Sequence, residues 1–139
     1  MMSECIFCKI VAGVMSAAKV YEDDDVLAFM DIAPIDRGHT LVIPKKHYNP
    51  ITDTPDEVLG RIMVVVRKIA AAQMKSLKAD GINIAQANGA VAGQVVEHIH
   101  FHAIPRYENG GHSWNSPLGK YETIEEMAQV ANLIRSGLV

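Results

Sequence analysis

Two cysteines, Cys5 and Cys8, are all that this 139-residue chain carries, which excludes a disulfide framework. Long apolar runs are missing too, since no stretch approaches the roughly 20 residues of a membrane span. The N-terminus lacks the basic start of a secretory signal: Glu4 stands where a positive charge would be, and Lys9 interrupts the short apolar run. Excess positive charge is also absent. Thirteen Lys and Arg face sixteen Asp and Glu, for a net charge of −3, whereas a general nucleic-acid binder needs clustered cations against phosphate. Neither a P-loop nor an acidic Mg2+-binding cluster occurs. There is no internal repeat, low-complexity tract or linker, and Gly and Pro fall at boundaries. The expectation is one unit over residues 1–139, cytoplasmic, with no nucleic-acid or membrane partner.

What is present can build a core, because 49% of the residues are apolar and 21% charged. The spacing predicts a helix from Pro55 to Ala79. Thr54 and Glu57 form a capping box, Pro55 suits the first helical position, and Gly81 serves as the stop. Leu59, Ile62, Val66, Ile69, Met74 and Leu77 make its apolar stripe. A second helix is predicted over Ile124 to Ser136, capped by Thr123 with Glu126, striped by Met127, Ala131 and Ile134, and ended by Gly137. Period-two or β-rich runs predict strands at Lys19–Glu22, Val26–Met30, His39–Ile43, Ile82–Ala87 and Val95–Ile104, the last stopped by Pro105. Residues 108–120 read as a loop. Short strands with hairpin-type joins and helices kept apart imply an α+β domain on a mostly antiparallel sheet.

The chemistry concentrates in the run from Gly93 to Arg106, GQVVEHIHFHAIPR. On a strand His98, His100 and His102 share one face, leaving Ile99, Phe101 and Ala103 for the core and the imidazoles lining a surface cleft. Three readings are open: histidines satisfied by ordinary hydrogen bonds, a metal site, or acid, base and nucleophile work. The outer two rings of such a strand are about 13 Å apart, so a single ion could take only one end or a neighbouring pair. Imidazole titrates near neutrality, so one ring can attack phosphorus while its neighbour supplies a proton. The small-residue loop from Asn88 to Gln94 either makes a tight turn or brings backbone N–H groups close to phosphate oxygens. Cys5-Ile6-Phe7-Cys8 has a spacing that lets both thiolates reach one Zn2+. A redox pair or two inert thiols are the alternatives.

At His98-Ile99-His100-Phe101-His102-Ala103-Ile104 the chain resembles the histidine-triad (HIT) superfamily. The resemblance takes in CIFCKIVAG, VYEDDDVLAFMDIAP, GHTLVIPKKH and AGQVVEHIHFHAIPRY, covering most of Cys5 to Tyr107. It is similar above all to the small nucleoside phosphoramidase (Hint) branch. This implies a five-stranded sheet with one long central helix and a C-terminal helix, the core spanning about residues 5–107, in a homodimer. It implies His100 as nucleophile, His102 as the group that holds phosphate and protonates the leaving group, and His39 as their support. Asp31 would bind the ribose hydroxyls, and Ile6, Phe7, Ile10, Phe29 and Ile32 would wall the base pocket. Backbone groups of Gly93, Gln94 and Val95 would hold phosphate, with Asn88 beside them.

The same resemblance implies a structural zinc on Cys5, Cys8, His47 and His98, and no need for Mg2+. Two positions depart from the branch: Ala87 replaces an amide, and Val95 a hydroxyl, near the leaving group, where Gln86 or Asn88 would have to compensate. The implied activity is hydrolysis of adenosine or guanosine 5′-phosphoramidates through a nucleotidyl-histidine intermediate. A dinucleoside polyphosphate hydrolase and an AMP-binding regulatory module are the alternatives. His112 and Trp114, in the loop after the histidines, stand where related proteins shape the leaving-group side. A solvent-exposed loop is the plainer reading of His112.

Overall fold

A computed structural model describes residues 4–138, so residues 1–3 and 139 of the expected unit lie outside it. Strands β1 (Lys19–Glu22), β2 (Val26–Met30), β3 (Thr40–Pro44), β4 (Gly81–Ala85) and β5 (Phe101–Arg106) form one sheet in the order β1-β2-β3-β5-β4. Every pairing is antiparallel. The first hairpin turns on Asp23, whose Oδ1 accepts the N–H groups of Asp25 and Val26, both at 2.8 Å.

Alternation along the strands gives the sheet two different faces. On one face Val20, Val26, Ala28, Met30, Val42, Phe101 and Ala103 join the main core with two helices, α2 (Asp56–Ser76) and α3 (Ile124–Gly137). On the other, Leu27, Phe29, Leu41 and Ile43 form a smaller core with Phe7 and Ile10 of a short helix, α1 (Ile6–Val11). Burial of a large aliphatic or aromatic side chain is worth roughly 1.5–3 kcal/mol, so the smaller core is enough to seat α1 beside the histidines. The sequence reading has no helix there; six residues are too few to show a period.

The long helix differs from its prediction at both ends. Pro55 occupies the N-cap, while Thr54 instead donates its Oγ1–H to the Pro50 carbonyl at 2.9 Å. The helix stops before Ala79 because Lys78 takes a left-handed φ of 59°, and Gly81 begins β4. Met74, expected in the stripe, is 52% exposed, and Gln73 is fully buried in its place. In α3 the Thr123 cap forms as expected, accepting the Glu126 N–H at 3.0 Å, and Gly137 is its last helical residue. Residues 108–120 form no helix or strand.

β4 ends two residues earlier than predicted, and β5 runs from Phe101 to Arg106 rather than Val95 to Ile104. The cause is β3, which ends on Pro44 and so has no N–H with which to extend the ladder. The Ile99 N–H turns to the Tyr48 carbonyl at 2.8 Å. Pro105 does not stop the strand. The β3 register with β5 ends at Ala103, and beyond it β5 pairs only with β4, Pro105 opposite Ile82.

Candidate active site and metal centre

Cys5 is the N-cap of α1, and its Sγ accepts the Cys8 N–H at 3.4 Å, which turns both thiols to one side. His47, just beyond β3, and His98, just before β5, complete the group. His98 Nδ1 lies 3.4 Å from Cys5 Sγ and 3.6 Å from Cys8 Sγ, and His47 Nδ1 lies 3.4 Å from Cys8 Sγ. A tetrahedral ion with bonds of ~2.3 Å to sulfur and ~2.05 Å to nitrogen has S···N edges of about 3.6 Å. The donor set fits zinc in type, number and spacing. His98 Nε2–H donates to the Pro44 carbonyl at 2.8 Å, and because a carbonyl can only accept, Nδ1 is left with its lone pair toward the sulfurs. Burial, with Cys5 adding to it, pushes the Cys8 thiol up to about 11, so a cation is what would make Cys8 ionise.

The same logic assigns protons to the other rings. His100 Nδ1 meets the carbonyl of His98 at 2.7 Å and must be its donor, which leaves Nε2 unprotonated. His39 Nδ1 receives the Ile35 N–H at 3.0 Å, so its proton sits on Nε2. That Nε2–H donates to His102 Nδ1 at 2.9 Å, and His102 therefore carries its proton on Nε2. Two imidazoles with ring centres 5.0 Å apart thus present opposite chemistry: a lone pair on His100 and an N–H on His102. Burial lowers all of these groups, His39 to about 3, His102 to about 4 and His100 in the same direction, which keeps the rings neutral. Asp31, His39 and His102 also cluster closely. In this tautomer His39 Nε2 has no lone pair for a metal, and its proton is directed to His102 Nδ1.

His98 is fully buried and His100 7% exposed, so the expected row of three surface-lining imidazoles is corrected to one half-buried ring, His102, beside two covered ones. The cover is Phe7, whose ring meets His100 edge-on at 5.1 Å and Phe29 at 5.3 Å. Phe7, Ile10 and Phe29 are core residues beside the histidines, whereas Ile6 and Ile32 are 39% and 74% exposed. Asp31 Oδ1 accepts the Ala33 N–H at 2.8 Å, Oδ2 lies 3.5 Å from His39 Nε2, and burial raises its carboxyl.

In the loop, Gly89 and Gly93 both adopt positive φ. The Gln94 side chain is spent internally, accepting the Gly89 N–H at 2.7 Å and donating to Asn49 Oδ1 at 2.7 Å and the Val96 carbonyl at 2.9 Å. Gln86 and Asn88 bond each other through both amides, and Asn88 Oδ1 also takes the Ile51 N–H at 2.9 Å. Val95 is 91% exposed. His112 is half-buried, with its carbonyl taken by Arg106, and Trp114 is 54% exposed. The groups that sequence reasoning missed are main-chain: the carbonyls of Pro44 and His98 and the N–H of Ile35. No residue type signals them.

A family model described as HIT domain matches residues 12–109. The chain belongs to the HIT family. It is 53% identical over 107 residues to a HIT-like protein of Methanocaldococcus jannaschii, covering 77% of this chain and 82% of that one. It is 42% identical over 106 residues to Adenylylsulfatase HINT3 of Arabidopsis thaliana, covering 76% of this chain and 54% of that one. The crystal structure of a Zn-bound histidine triad family protein from Mycobacterium smegmatis superimposes with a TM-score of 0.89 at 39% identity, covering 99% of this chain and 94% of the other. The sheet and helices of this HIT protein are thus those of its family. No helix among the described residues is long and apolar enough to cross a membrane.

Proposed function

We propose that this HIT protein hydrolyses adenosine and guanosine 5′-phosphoramidates, with His100 as nucleophile. The observation that carries this reading is the opposed tautomers of His100 and His102, which set a lone pair beside an N–H. His100 Nε2 attacks phosphorus and the P–N bond to the amine breaks. The amine leaves with the proton of His102 Nε2, which a proton from solvent replaces so that the ring stays neutral. Water then attacks the nucleotidyl-His100 intermediate, its hydroxyl going to phosphorus as the bond from phosphorus to His100 Nε2 breaks and its proton passing to solvent by way of His102, and a nucleoside monophosphate is released.

Asp31 accepts from the ribose hydroxyls, Phe7, Ile10 and Phe29 back the base with Ile6 and Ile32 at the mouth, and the Gly93–Gln94–Val95 backbone with Asn88 faces phosphate. Support for the loop's role comes from its positive-φ glycines and from a Gln94 side chain that braces the loop from behind. Cys5, Cys8, His47 and His98 would hold zinc, which with four protein ligands supplies folding energy and leaves no open position. The zinc-bound relative from Mycobacterium smegmatis favours that assignment. Catalysis needs no Mg2+. One of the two outer strands of the sheet, β4, exposes Asn83 and Ile84, which favours a homodimer joined along that edge.

The test is turnover of a fluorogenic adenosine 5′-phosphoramidate by wild type and His100→Ala, without added divalent cations. Turnover in the wild type that vanishes in the variant is expected. Equal turnover by both would overturn the assignment of His100. The adenylylsulfatase relative gives a second reading, in which the leaving group is sulfate. Faster release of AMP from adenylyl sulfate, or from a dinucleoside polyphosphate, than from the amide would reverse the order. Tight AMP binding with no turnover of any of them would leave a binding module.

A further inference from the structure

The apolar stripe of α2 carries one polar interruption. Gln73 lies one turn after Ile69 and one before Leu77, where helical spacing calls for an aliphatic side chain, and it is fully buried. An amide there costs about 1–3 kcal/mol unless its hydrogens are satisfied. Gln73 Nε2 donates to two carbonyls, Gly38 and Ala103, each at 3.0 Å, while its Oε1 has no partner among the described residues. One acceptor directly precedes His39 and the other directly follows His102. The amide therefore ties together, from behind the sheet, the two residues whose rings share the relay hydrogen bond.

The tie falls where the sheet no longer provides one. The β3–β5 register ends at Thr40 opposite Ala103, so His39 lies beyond the ladder. The Gly38 peptide is held on every side instead. Its N–H donates to the buried Tyr121 hydroxyl at 2.9 Å, and its carbonyl also accepts Thr40 Oγ1–H at 2.8 Å. Its φ is +93°, and a Cβ would meet Leu77 Cδ1 at 2.3 Å and Pro105 Cγ at 3.0 Å. The Gln73 amide is the contact that joins this peptide to the residue after His102.

We infer that Gln73 is a positioning residue for the His39–His102 pair, and through it for the His102 N–H that protonates the leaving group. The second half of this inference rests on the proposed hydrolysis; the first does not. The variant is Gln73→Met, similar in reach but without donors. Val66→Ala serves as the control, a buried truncation on the same helix face whose apolar side chain hydrogen-bonds to neither carbonyl. In isotope-labelled protein, the nitrogen–nitrogen scalar coupling across the His39–His102 hydrogen bond should be present in wild type and Val66→Ala and lost or weakened in Gln73→Met.

In turnover, Gln73→Met should slow an AMP-amide with a basic amine by at least about tenfold, part of the 10²–10⁴ typical of general acid catalysis. KM should hold, and a substrate whose leaving group needs no proton, such as adenylyl sulfate, should change less than about twofold. An unchanged coupling, or equal slowing of both substrates, would overturn the inference. If wild type turns over neither substrate, the proposed function fails and the coupling alone decides the positioning role. Should Gln73→Met not fold, Gln73→Asn keeps the amide but is too short to bridge, and the same two readouts apply.

Discussion

Acidification should expose the burial of His39 as a loss of stability. The His39 ring is 1% exposed and faces three polar groups: the Ile35 N–H at Nδ1, His102 Nδ1 at 2.9 Å and Asp31 Oδ2 at 3.5 Å from Nε2, with His100 beyond His102. Burial, then the proximity of His102 and His100, depresses its pKa from 6.5 to about 3. The unfolded chain keeps the ordinary value. Between these limits the unfolded state binds the extra proton, so the His39 contribution is complete above about pH 6.5 and is lost as pH falls toward about 3. At about pH 5 the deficit is 1.5 units at 1.36 kcal/mol each, or about 2 kcal/mol.

The assay is urea unfolding of zinc-loaded wild type and His39→Gln at about pH 7 and pH 5. Groups that do not touch His39, the metal ligands included, cancel in the double difference. Wild type should lose about 2 kcal/mol more than the variant on acidification. Equal pH slopes, within about 0.5 kcal/mol, would refute the claim that His39 is held neutral by its surroundings.

Zinc analysis of protein purified without chelator should give one equivalent per chain, and Cys8→Ala should lose both the metal and several degrees of Tm; folded, active protein with far less zinc would remove the metal from the fold. Gly38→Ala combines left-handed strain of about 1–2 kcal/mol with overpacking of about 1–3 kcal/mol. It should lower the urea midpoint by the equivalent of about 2–5 kcal/mol, and a loss below about 1 kcal/mol would mean the Gly38 peptide is not held as described. Light scattering should give twice the 15.2 kDa chain mass, and a charge placed on the open edge by Ile84→Lys should yield monomer. A wild-type monomer would rule out the β4 pairing.

Much of the fold was legible because local patterns repeat local physics. The stripe of Ile62, Val66 and Ile69, the Thr123 cap, and strands β1 and β2 each appear in the structure where the sequence placed them, while β3 lies one residue later at both ends than the expected His39–Ile43. The alternating His98, His100 and His102 gave the site its location, and the family resemblance that joined the CxxC to His47 and His98 named four residues that the fold does bring together. Where reading failed, a partner distant in sequence had intervened. Met74 and Gln73 exchange faces because two carbonyls on β5 and ahead of β3 can satisfy an amide. β5 begins late because Pro44 and Tyr48, some fifty residues upstream, decide where its first N–H groups can go.

The sequence by itself determined which atoms are available: three imidazoles in alternation, two thiols one turn apart, and apolar residues spaced to bury one side of each element. It could not determine where their protons sit. His100 is a bare nucleophile because the His98 carbonyl takes its Nδ1–H, and His102 offers an N–H because an Ile35 amide fixes His39. Hydrogen-bond donors and acceptors on the main chain are the same at every residue, so only the tertiary structure, by choosing which of them meets which ring, decided the tautomers.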